Sequence, residues 1–198
     1  MKSKLLIFVA ITYVVTIIFH MVLLLTNNPL NYVGITMIIP FIVALFVQKK
    51  IYNEDFILTL GLKAGKIKWY LIAIIIPVFL SFDYTMSLDE WLKMLLIGLT
   101  IASISALFEE VIWRGFVRYE MRNKNVIFTY LVTALIWTAW HIPISVLFLY
   151  SEHILLNTFF HSVQLFLISM IISWIRDKSH TVITAAIFHG MVNVFYFS

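Results

Sequence analysis

Residues 5–25 run for twenty-one positions without an Asp, Glu, Lys or Arg, matching the ~20 apolar residues that a helix needs to cross a hydrocarbon core. The run ends at Thr26-Asn27-Asn28-Pro29, a turn that a helix does not cross. No small-x-small cleavage site interrupts it, so a retained first span is expected rather than a signal peptide. Similar runs recur along the whole chain. Only 12% of its residues are charged and 62% are hydrophobic, against roughly a quarter charged in an ordinary soluble domain. The fold class implied is all-α: a polytopic transmembrane helix bundle of about seven spans, one integral membrane domain over residues 1–198. No separate soluble domain, repeat array or low-complexity tail is suggested.

The second span is expected over about residues 31–48, with a kink at Pro40 and a stop at Lys49-Lys50. Residues 51–68 are the longest polar interval, where Lys63, Lys66 and Lys68 alternate with apolar residues as in a segment anchored on an anionic membrane face. A third, short span over residues 69–82 begins at the interfacial aromatics Trp69 and Tyr70 and contains Pro77. An acidic loop over residues 83–90 leads to a fourth helix at residues 91–121. The fifth, sixth and seventh spans are expected at residues 126–150, 154–175 and 181–197, with a turn at Ser151-Glu152 before the sixth.

With seven spans, Lys2, Lys4, Lys49, Lys50, Lys63, Lys66, Lys68, Arg114, Arg118, Arg122, Lys124, Arg176 and Lys178 all fall on one side, and Lys93 alone falls on the other. The positive-inside rule then makes the N-terminus cytoplasmic and the C-terminus external. This topology also accounts for the net charge of +4. The basic residues sit between apolar runs rather than on one face with stacking aromatics, so no nucleic-acid partner is expected. The chain has no cysteine, which excludes disulfides, a thiol nucleophile, thiolate metal ligands and cysteine-linked lipid.

Against this background the stretch Leu107-Phe108-Glu109-Glu110-Val111-Ile112-Trp113-Arg114-Gly115 stands out, because ionisable groups within spans are costly and mark function by default. On a helix Glu110 and Arg114 are spaced i, i+4 and share a face, while Glu109 points about 100° away. Glu110 is thus the expected counter-ion of Arg114, leaving Glu109 free. Simple neutralisation of arginines near the membrane surface would explain Arg114 but not the second, adjacent acid. Trp137 and His141 share a face on the fifth span, just before Pro143, and His189 and Asn193 share one on the seventh. Either histidine alone is accounted for by interhelical hydrogen bonding. At about 1.5 Å per residue, Glu109, His141 and His189 lie roughly 20, 26 and 17 Å from the basic ends of their helices, close enough for all three to face one cavity.

A carboxylate and two histidines where water is scarce suit activation of a water molecule, with Glu109 taking its proton and a histidine and Asn193 holding the developing oxyanion. Alternatively Glu109, His141 and His189 ligate one divalent metal such as zinc, since two imidazoles, a carboxylate and an open position form a common hydrolytic site. The residues leave both mechanisms open.

In order, spacing and placement on separate helices, the three motifs resemble those of the CAAX-protease and bacteriocin-processing (CPBP, or Abi) family of intramembrane endopeptidases, CAAX prenyl protease 2-like. Two glutamates, three residues and an arginine fall on Glu109, Glu110 and Arg114; an aromatic, three residues and a histidine on Trp137 and His141; a histidine, three residues and an asparagine on His189 and Asn193. The likeness covers about residues 60–196, the protease-like core, with residues 1–59 supplying the N-terminal spans. It implies a cavity open to the cytoplasm and to lipid, and hydrolysis of a peptide bond in a membrane-associated protein or peptide. It further implies Glu109 as base with His141, and His189 with Asn193 on the oxyanion; both metal-dependent and metal-free mechanisms are ascribed to such proteins. Trp137 departs from the usual phenylalanine and is expected to narrow the cavity.

The resemblance is equally compatible with a bacteriocin-immunity or scaffold protein that binds without catalysis. His153, Asn157 and His161 form a stripe on the sixth span outside the motifs, read as an interhelical hydrogen-bonding seam or, in a carrier, as an ion path. Serines within the spans, at Ser103, Ser105, Ser162, Ser169 and Ser173, are expected at helix contacts. No His-Glu-x-x-His or Gly-x-Ser-x-Gly motif offers another hydrolytic site. The richness in Ile, Lys and Phe is in keeping with a bacterial plasma membrane.

Overall fold

The computed structural model describes residues 3–80, 86–149 and 152–196, apart from the side chains of Ser3 and Leu58. The expected end of the third span at Phe82, the start of the acidic loop, the ends of the fifth and seventh spans and the turn residue Ser151 lie outside them. The described residues form seven helical rods and no strand: α1 (Ser3–Leu23), α2 (Leu30–Ile51), α3 (Ile67–Leu80), α4 (Leu88–Glu120), α5 (Val126–Leu149), α6 (Ile154–Ser179) and α7 (Val182–Phe195). Five of them are long and apolar enough to cross a membrane, and α3 and α7 are shorter apolar helices of 14 residues each.

Local chemistry sets the boundaries. The fourth helix begins three residues earlier than expected because Ser87 closes a capping box, its hydroxyl accepting from the Glu90 N–H while the Glu90 carboxylate accepts from the Ser87 N–H. The Asn125 carboxamide accepts from the N–H groups of Ile127 and Phe128 at the start of α5, and Thr181 accepts from Ile183 N–H at the start of α7. The disturbance expected at Pro40 takes the form of a tightened 3-10 stretch, Gly34–Ile38, directly before it. Within α4 the backbone widens into π-turns at Gly98–Ala102 and Val111–Phe116, the second containing Arg114.

The bundle turns its large apolar side chains outward, among them Ile18, Ile75, Leu135 and Phe159, each more than half exposed. Its small and polar residues turn inward, as expected where lipid replaces water outside. Ser103, Ser169 and Ser173 are buried, and Ser105 and Ser162 are half-buried. Helix α7 lies at the centre, packed against α3, α4 and α6. Its closest approach is to α4: a Cβ on Gly190 would come within 2.5 Å of the Ser103 nitrogen and 2.6 Å of its Cα.

One end of the bundle collects the ionic groups. Lys4 is buried between the carboxylates of Glu54 and Glu120, and Arg118 pairs with Asp177 at 3.1 Å, so the N-terminus, the 51–68 interval and the α4 and α6 C-termini share one end, the one that the charge bias predicts to be cytoplasmic. The 51–68 interval is more than a surface anchor. Lys63, Lys66 and Lys68 are exposed, but Phe56 and Thr59 are buried. The segment runs across the bundle as a strap, with Val182 N–H donating to Gly61 O and Lys66 N–H to Ser179 O, both at 3.3 Å. Gly115 is the point it crosses, since a Cβ there would lie 2.6 Å from Leu60 O. Helix α1 is tied in by Phe8 edges on Trp113 and Phe116, by Trp140 Nε1–H to Thr16 Oγ1 (2.9 Å) and by Tyr13 O–H to Ile136 O (2.7 Å).

Candidate active site

The two adjacent acids of α4 diverge as helical geometry requires. Glu110 is fully buried and accepts from Arg114 Nη1 at 3.0 Å, the i, i+4 pair expected from the spacing. The same Oε1 meets His189 Nδ1 at 2.8 Å. Arg114 is itself anchored from α6, where Nη2 donates to the Ser169 hydroxyl (2.7 Å) and carbonyl (3.1 Å). The Arg114 guanidinium and the His189 imidazole thus meet on one carboxylate oxygen, and a buried charge is tolerated only with such partners. The Gly190–Ser103 contact brings α7 close enough for the preceding residue, His189, to reach Glu110.

Glu109 points elsewhere. It is also buried, and its Oε2 accepts the indole N–H of Trp137 at 2.7 Å. The Trp137 carbonyl accepts from His141 Nδ1 at 2.8 Å, and since a carbonyl only accepts, the proton is on Nδ1. A neutral His141 therefore offers Nε2 as an acceptor. The Trp137 ring meets both imidazoles edge-on, with centroids 4.6 Å from His141 and 5.4 Å from His189, and the Arg114 guanidinium lies over it at 5.1 Å.

Glu109, Trp137, His141, His189 and Asn193 all line one cavity of about 200 Å³, room for several waters or a small side chain. Four candidate site residues thus meet from three helices, while Glu110 and Arg114 stand behind the wall. Three features escaped the sequence reading. Trp137 binds the acid rather than merely narrowing the space. The N-terminal part of α2 supplies a wall through Val33, Thr36 and Met37. His161 lines the same cavity, so the 153–157–161 stripe is not one seam: His153 is exposed and Asn157 donates to the Glu152 carbonyl at 2.9 Å. A four-residue spacing had grouped all three, and only their depth separates them.

Oε2 of Glu109, Nδ1 of His141 and Nδ1 of His189 are held by Trp137, the Trp137 carbonyl and Glu110, which leaves the other oxygen of the acid and Nε2 of each imidazole outside these bonds. Among the described residues no three His, Asp or Glu side chains are grouped to hold an ion.

These features define a polytopic helical membrane protein with a buried acid–imidazole site. The chain belongs to the Rce1-like family, described as Type II CAAX prenyl endopeptidase Rce1-like, whose model matches residues 90–195, the segment that contributes Glu109, Trp137, His141, His189 and Asn193. No curated protein matches the chain. Membership supports an intramembrane endopeptidase acting on a protein substrate in a lipid environment.

Proposed function

We propose that the cavity hydrolyses a peptide bond of a membrane-associated protein or peptide by a glutamate-activated water, in the cytoplasmic half of what we take to be a bacterial plasma membrane. The observation that carries this is the convergence of Glu109, His141, His189 and Asn193 on one cavity from α4, α5 and α7. Glu109 removes a proton from a water that His141 Nε2 orients by accepting its second hydrogen. The water oxygen bonds to the scissile carbonyl carbon, and negative charge moves onto the carbonyl oxygen. His189 and Asn193 stabilise that oxyanion; with Nδ1 of His189 on Glu110, Nε2 is the atom left to face it, and the role requires a proton on both ring nitrogens, Nδ1–H to the carboxylate and Nε2–H to the oxyanion. Collapse breaks the C–N bond, and the proton held on Glu109 passes to the departing amine.

Glu110 and Arg114 take no part in proton transfer; they hold His189 in place, as a carboxylate orients the histidine of a hydrolytic triad. The test is cleavage of a membrane peptide library by the purified protein in liposomes. Glu109→Gln, His141→Ala and His189→Ala each should abolish products while the helical content is kept. Products at the parent rate from Glu109→Gln would reject the reading.

A further inference from the structure

Trp137 touches Glu109, His141, His189 and Arg114. Its side chain is 1% exposed, its N–H is spent on Oε2 of Glu109, its carbonyl on Nδ1 of His141, and its ring faces carry Arg114 and abut His189. A carboxylate on a free side chain rotates about its last torsion and offers either oxygen to the cavity. Here one oxygen is held by an indole that is itself buried between Arg114 and the two imidazoles.

We propose that Trp137 is a positioning residue: its N–H pins Oε2 of Glu109 so that Oε1 alone is presented to the attacking water. The inference rests on the reading of Glu109 as base, and it deepens that reading by naming what aims the base. A phenyl ring, the usual residue at this position in the motif the chain resembles, fills much of the same space and keeps the backbone carbonyl for His141 but has no donor, so the pin belongs to this chain rather than to the motif.

The experiment uses the full chain in liposomes and compares the parent with Trp137→Phe. Loss of aim at the base acts on the chemical step, so kcat should fall about 10²-fold with KM within a factor of about two. An unchanged kcat, or a fall matched by a proportionate rise in KM, would overturn the proposal. A second readout does not need activity. The protein has six tryptophans, and the ¹H–¹⁵N indole resonance that Trp137→Phe removes should move upfield in Glu109→Ala, where the N–H loses its acceptor. An unmoved resonance refutes the contact. If the resonance moves but the parent cleaves nothing, the hydrolase reading fails and the pinning of Oε2 stands as structure alone.

Discussion

Gly190→Ala tests whether the approach of α7 to α4 aims the site. The added methyl would sit 2.5 and 2.6 Å from Ser103 backbone atoms and 2.8 Å from the Ala102 carbonyl carbon. Backbone cannot turn aside as a flexible side chain does, so regaining ordinary contact near 3.4 Å requires the helices to separate locally by ~0.5–1 Å, at a cost of about 1–3 kcal/mol for overpacking. His189 is the neighbouring residue and its bond to Glu110 is 2.8 Å; the same displacement stretches it past useful hydrogen-bonding range. A misplacement of about 1 Å costs about 10²-fold in rate. Thermal unfolding in detergent, followed by circular dichroism, should show a lowered Tm, and the liposome assay should show a slowed kcat. A variant that melts with the parent and cleaves at its rate would refute the claim that this contact positions His189.

Glu109 and Glu110, although adjacent, should fail in opposite ways. Glu110→Ala leaves the buried Arg114 without its carboxylate and should cost about 3–5 kcal/mol, read as a large fall in Tm, whereas Glu109→Gln should melt near the parent while losing activity. His161→Ala, on the cavity wall, should change kcat/KM by several-fold and alter which peptides are cut; His153→Ala, exposed at the start of α6, should leave both unchanged. Dialysis against a chelator should leave cleavage intact, because among the described residues no three His, Asp or Glu side chains are grouped to hold an ion; loss of activity restored by zinc would overturn that expectation.

Much of the site was legible because short-range helical geometry decides it. The i, i+4 pairing of Glu110 with Arg114 and the divergence of Glu109 follow from residues per turn alone, and counting from the basic ends was enough to bring three helices to one level. What depended on long-range packing was not. The indole of Trp137 was visible in the sequence, but its N–H direction is set by where α4 passes α5. His161 was grouped with His153 and Asn157 by spacing, yet only the innermost of the three reaches the cavity. The strap was hidden by its own polarity: lysines at 63, 66 and 68 dominate residues 51–68, whereas Phe56 and Thr59, which hold the segment down, carry no periodic signal.

Helix α1 lies outside the matched residues 90–195, yet its Lys4 is the cation beside the buried Glu120 of α4, and its Phe8 covers Trp113 and Phe116. Excising the matched half would leave that buried acid without its cation and strip the far side of the very helix that bears Glu109 and Glu110. The region that defines kinship is therefore not a detachable unit, and shortened versions should be judged by whether they keep this first crossing.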